Sequence, residues 1–168
     1  MIRELNGHTP QVGENVWVAE NATIIGEVSI GDECSVWFNA VIRGDVGSIA
    51  IGRGTNIQDG AILHTTTGKS IVKLGNNITV GHGAIVHGCT SDNNVLIGMG
   101  SIVLDNVHIG EGAIVAAGAV VKENTQIPAG TIWAGIPAKQ VKVLDRELSK
   151  EQMKGMAEGY QKYKEWYR

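Results

Sequence analysis

The chain has 168 residues, enough for one domain with a real hydrophobic core, and its 14 Lys and Arg against 17 Asp and Glu leave a net charge of −3. A mildly acidic chain gives no argument for a nucleic-acid partner or an anionic membrane surface, and no apolar run reaches the length of a membrane span. The opening MIRELNGHTP lacks the apolar centre of a signal peptide, and the two cysteines, Cys34 and Cys89, fit a reducing cytoplasm better than a disulfide framework.

There are 23 glycines without low complexity, which points to repeated tight turns. Stepping by six from Val12 meets Val18, Ile24, Ile30, Val36 and Ile42, then after a gap Ile51, Ile57 and Leu63, then Leu74, Val80 and Val86. A last run takes in Ile97, Val103, Ile109, Val115, Val121, Ile127 and finally Trp133. Four positions after most of these keys stands a small or β-branched residue, such as Ala22, Val28, Cys34, Ala40, Ala61 or Ala84. No α-helix holds a period of six on one face. The pattern predicts a parallel β-helix over 1–133, each six-residue unit forming a short strand and a turn, with three units to a coil. Grouping the keys by threes (12/18/24, 30/36/42, 51/57/63, 74/80/86, 97/103/109, 115/121/127) puts the breaks after 42, 63 and 86 at one corner of a triangular prism. Three insertions on one edge read as a functional edge.

The segment 134–147, with AGIPAKQVK, reads as a connector. From Leu148 the period changes to 3.6. Ser149 and Gln152 read as a capping box, and Met153, Met156, Tyr160, Tyr163 and Tyr167 form one stripe, so 148–168 is expected to be a helix packed back on the prism.

Register places the histidines. His64 follows the third key of its coil, and His87 follows the third key of the next, so they share a column with backbones about 4.8 Å apart. Arg43 stands in that column one coil below. His82 is two past Val80, at a turn, above Asp59 and close to Gln58. Two stacked imidazoles can share a metal at about 2.0–2.1 Å per nitrogen. His82 lies around a corner from His87, on the order of 15 Å along extended chain. If all three are ligands, His82 must come from a neighbouring subunit, and a three-fold cyclic assembly would supply that arrangement three times. The plainer alternative is that these are polar residues on outer faces. His8 and His108 fall outside both columns and read as surface, Cys34 as core, and Trp17, Trp37, Trp133 and Trp166 as packing or interface residues.

RGDVGSIAIGRGTNIQDGAILH followed by VGHGAIVHG resembles the signature of gamma-class carbonic anhydrases and their bacterial relatives, and the likeness runs over nearly the whole chain. The resemblance implies a left-handed β-helix, assembled as a homotrimer with metal sites between subunits. By position, it implies His64 and His87 as ligands from one chain and His82 from its neighbour, with Zn2+, Fe2+ or Co2+ as the ion. It also implies an inter-subunit ion pair between Arg43 and Asp59, with Asp45 beside it, and Gln58 bonded to a metal-bound hydroxide. The implied reaction is reversible hydration of carbon dioxide to bicarbonate. Members with efficient proton transfer carry glutamates near the metal. Here Val46 follows Asp45, TTTGKS stands where an acidic loop would be, and no Asp or Glu occurs from Gly60 to Ser91. Tyr160 resembles a helix tyrosine that lines the site in short-loop relatives, or else belongs only to the packing stripe. Two other classes stay open. A hexapeptide acyltransferase would use an acyl-CoA donor and one histidine as general base, and it could carry the same GxPAK run at Gly135–Lys139. An inactive trimeric scaffold would account for the missing glutamates.

Overall fold

The computed structural model describes residues 1–168. The hexad keys stack in parallel ladders. On the first face Ile24 pairs with Ile42, Ile42 with Leu63, Leu63 with Val86, Val86 with Val103, and Val103 with Val121. The third face runs from Val18 through Val36, Ile57, Val80, Ile97 and Val115 to Trp133. Strands Thr23–Ile30 and Val41–Ile51 run on around a corner, so the first and second faces merge into one 12-stranded sheet beside an 8-stranded one. Successive side chains alternate in and out. Every key from Ile24 to Ile127 is buried, within one continuous cluster of 31 residues. The fold is a parallel β-helix closed by one C-terminal helix.

One expectation about the coils is corrected. Ser91 pairs with Ile109, and its neighbour Thr90 pairs with Lys73, so Ser91 occupies the first position of its coil, above Leu74. The upper coils are therefore 91/97/103, 109/115/121 and 127/133. The step from Val86 to Ser91 is one residue shorter than six, not an insertion. Only the breaks after 42 and 63 extend the edge. A search for aliphatic keys passes over a buried serine. Its hydroxyl gains a partner by accepting from Gly75 N at 3.2 Å.

Within 134–147, Ala138–Val143 forms a strand antiparallel to Thr131–Gly135, a hairpin that closes the end of the prism. Helix α1 spans Arg146–Tyr163, and a 3-10 turn continues it over Lys164–Tyr167. Its N-cap is Asp145, whose carboxylate accepts from Leu148 N at 2.9 Å, instead of the expected Ser149–Gln152 box. Ser149 lies inside the first turn, buried with Met153 and Ala157 against the prism. At the far end Tyr167 packs on Trp17 and Trp37, with ring centroids 5.5 and 5.4 Å apart.

Lys164 fastens this end. It is 1% exposed, and its Nζ donates to Asn15 O at 2.6 Å and Glu33 Oε2 at 3.1 Å. The hydrogen bond from the Asn15 amide, then that from Lys164, holds the Glu33 carboxyl below its usual range. A folded-state value below the unfolded one adds stability above the ordinary glutamate pKa, and that stability is lost as pH falls through the lowered value. Docking of the C-terminal segment should accordingly weaken as the pH falls below the ordinary glutamate range. Trp17 and Trp37 fluorescence on acid titration checks this. Glu33→Gln should flatten the transition, and an unchanged titration would remove Glu33 from the account.

Candidate metal centre

Leu63 and Val86 point inward, so the residues that follow them point out. His64 and His87 face each other across adjacent coils in direct register. His64 Nδ1 stands 3.3 Å from His87 Nε2. The other nitrogen of each ring rests on a carboxylate. His64 Nε2 is 2.8 Å from Asp45 Oδ1, and His87 Nδ1 is 3.1 Å from Asp105 Oδ1. Arg43 donates to the second oxygen of Asp45.

This arrangement has a chemical consequence. A carboxylate only accepts, so the nitrogens touching Asp45 and Asp105 carry the ring protons. In the neutral rings the two facing nitrogens then present lone pairs to each other. That contact is repulsive unless a cation stands between them. Nitrogens each about 2.0–2.1 Å from a tetrahedral ion are about 3.3 Å apart, the separation observed here. Carboxylate-anchored imidazoles are also the usual outer support of metal-binding histidines. The residues present fit a divalent metal.

Both carboxyls respond to the site. Burial pushes Asp45 up, but hydrogen bonds from His64 and Arg43 outweigh it and hold the group below the usual carboxylate range. Burial likewise opposes ionisation of Asp105, and bonds from Ser70, Thr66 and His87 overcome it.

His82 is elsewhere. It precedes Gly83 in the turn after Val80, and its Nδ1 contacts Asp59 Oδ2 at 2.8 Å. Its backbone N–H donates to Gln58 Oε1 at 3.2 Å, and Gln58 Nε2 donates to Asn56 Oδ1 at 3.0 Å. Gln58 is thus fixed at both ends of its amide and buried. Gln58, His82, Leu96, Met99, Met156 and Tyr160 are among the residues lining a mostly apolar cavity of about 360 Å³ between the third face and α1. Tyr160 packs edge-on against Trp37 at 5.4 Å. Burial, followed by the nearby Asp59 charge, pushes its hydroxyl pKa up, so it stays protonated at neutral pH. No three His, Cys, Asp or Glu side chains able to hold a metal gather within one chain. The structure thus sets two separate clusters: His64 and His87 with Asp45 and Arg43, and His82 with Asp59, Gln58 and Tyr160.

Sequence reasoning missed Asp105. With the coil grouped as 97/103/109, Val103 is a second-strand key and Asp105 falls on another corner. Grouped as 91/97/103, Val103 stacks on Val86, and Asp105 comes over Gly88 beside His87. The hidden serine key was the missing signal.

Stacked hexads with a paired-histidine edge define a hexapeptide-repeat protein, and the family described as Bacterial transferase hexapeptide (six repeats) matches residues 9–44 and 92–123. The chain is 46% identical over 156 residues to a carbonic anhydrase of Geobacillus kaustophilus, an alignment covering 93% of this chain and 83% of that one. It is 43% identical over 146 residues to the mitochondrial gamma carbonic anhydrase 2 of Arabidopsis thaliana, covering 83% of this chain and 52% of the plant protein, so it spans about half the length of that relative. A crystal structure of a hexapeptide transferase family protein from Anaplasma phagocytophilum superposes with a TM-score of 0.92 at 38% identity, covering 99% of this chain and 98% of that one. The chain belongs to the gamma carbonic anhydrase-like family of hexapeptide-repeat proteins.

Proposed function

We propose that this protein is a metal-dependent carbonic anhydrase, interconverting carbon dioxide and bicarbonate at sites shared between the subunits of a homotrimer. The observation that carries the reading is the pair of carboxylate-held imidazoles whose free nitrogens face each other at 3.3 Å. His64 and His87 of one chain and His82 of the next would hold the ion, with zinc as the default and Fe2+ or Co2+ also suited to imidazole. The first face supports self-association: Val41, Ile62, Ile85, Ile102 and Val120 form an outward aliphatic ladder beside the histidine column, and none of them is fully covered within the chain. A neighbour seated there can bring its His82 edge to the column, and Arg43 within reach of its Asp59.

Held by His64 and His87 of one chain and His82 of the next, a divalent cation would supply Lewis acidity strong enough to ionise water near neutral pH. Gln58, its carbonyl locked by His82 N and one amide hydrogen by Asn56, directs its remaining N–H to orient the reactants. Tyr160, held protonated by burial, is suited to donate a hydrogen bond at the site and not to act as the base. Arg43 and Asp45 hold His64 in place. The apolar wall of Leu96, Met99 and Met156 suits an uncharged substrate such as carbon dioxide.

The same apolar cavity, reaching His82, is the observation that favours the second reading, an acyltransferase using His82 as base. Elemental analysis separates the two. Protein purified without chelator should carry about one divalent ion per chain in a trimer. A metal-free protein that releases free thiol from acetyl-coenzyme A in the presence of an amine or hydroxyl acceptor would establish the second reading in place of the first. A trimer silent in both assays would be a scaffold.

A further inference from the structure

We infer that Asp105 is a positioning residue for the metal site, fixing the tautomer and direction of His87 and tying them to the corner loop of residues 65–71. This rests on the reading of His64 and His87 as ligands. Asp105 is 5% exposed and lies among donors. Oδ1 meets His87 Nδ1 at 3.1 Å and Ser70 Oγ at 2.5 Å, Oδ2 accepts from Thr66 Oγ1 at 2.8 Å, and Lys69 Nζ is 3.5 Å from Oδ2. Ser70 Oγ also accepts from Thr66 N at 3.0 Å, closing the loop on itself around the carboxylate. Gly88, the residue after His87, leaves the space this needs. It has φ +67°, and a Cβ there would collide with Asp105 Oδ1 and Ser70 Oγ.

One side chain from the coil above therefore serves two structures. It accepts a hydrogen bond from His87 Nδ1–H, which leaves Nε2 as the lone pair aimed at His64. It also anchors the loop that begins immediately after His64. Asp45 gives His64 the same service from the coil below, so the two rings are pinned from opposite sides. A buried carboxylate carries two accepting oxygens and no hydrogen, so all the donors around it are satisfied at once. An amide in its place would direct N–H groups at some of those donors.

The test compares the full-length parent with Asp105→Asn. Cobalt(II) binding to the variant should be about 10- to 100-fold weaker, with altered visible absorption bands. Nitrogen-15 NMR of the metal-free parent in alkaline buffer should place the His87 proton on Nδ1, and the variant should lose that preference. A folded variant with unchanged cobalt affinity, spectrum and tautomer overturns the inference. If the variant does not fold, the parent spectrum decides: a proton on Nδ1 supports the role, and a proton on Nε2 overturns it. A parent that binds no cobalt would overturn the metal-site reading itself, and the tautomer measurement would still judge the Asp105 contact.

Discussion

His82→Ala protein should lose metal affinity by at least about a hundredfold, and mixing it with His87→Ala protein should restore about a quarter of the sites. Each site in the proposed trimer takes its column from one chain and His82 from the next. His82→Ala chains keep an intact His64/His87 column, and His87→Ala chains keep His82. When chains assort at random after co-refolding, one half of the interfaces have an intact column and one half of those an intact His82. Two damaged proteins therefore regenerate whole sites that neither contains alone. The measurement is bound metal per chain after co-refolding, with each variant refolded separately as the control. No recovery in well-formed mixed trimers would show that a site does not draw on two chains. Full metal retention by His82→Ala alone would show that two imidazoles suffice and that His82 has another task.

The two histidine clusters were legible in the sequence to different degrees. A six-residue period is a strong signal because nearly every inward position is apolar where the coils stack, so the β-helix and the His64/His87 register followed directly. Burial at the keys cannot be imitated by another fold. The corner was harder. Ser91 satisfies its hydroxyl locally, and a key that is buried and polar breaks the count of coils above it. That one slip moved Asp105 to the wrong edge and made the surroundings of His87 look free of acid. The contact that corrects this crosses coils, with eighteen residues separating His87 from Asp105, and only the correct count of residues per coil reveals it.

The helix shows a different limit. Its stripe was visible, but which residues face the prism was not. Met153 is buried while Met156 and Tyr163 are each 41% exposed, because the docking line runs through Ser149, Met153, Ala157 and Lys164. A buried lysine is hard to foresee, since it is tolerated only where partners wait for it. Asn15 O and Glu33 are those partners, and they come from coils more than a hundred residues away.

Carbon dioxide hydration by the purified, metal-loaded protein should be slow in dilute buffer and should rise about a hundredfold as a small base such as imidazole is added. Each turnover releases a proton, and the acidic side chains around the proposed site are engaged. Asp45 is bonded to His64 and Arg43, Asp105 to His87 and the loop hydroxyls, and Asp59 to His82. Glu123 is paired with Lys69 of the corner loop. Tyr160 is held protonated by burial and cannot accept a proton as a base. A carboxylate that took up the proton would also release the ring it holds, so proton storage and ligand orientation compete for the same groups. Diffusible buffer escapes that conflict. Gln58→Ala should lower the rate by about a hundredfold even in abundant buffer, because on the proposed mechanism it removes the N–H that would orient the reactants and not the path by which protons leave. Stopped-flow hydration across a series of imidazole concentrations separates the two effects: the parent should show a steep rise to a plateau, and Gln58→Ala a lower plateau reached at less imidazole. Fast hydration that ignores buffer would mean that a side chain does carry the proton out, and Tyr160→Phe would be the first variant to examine. A Gln58→Ala plateau equal to the parent's would take the amide out of the chemical step and leave it a structural support for the His82 turn.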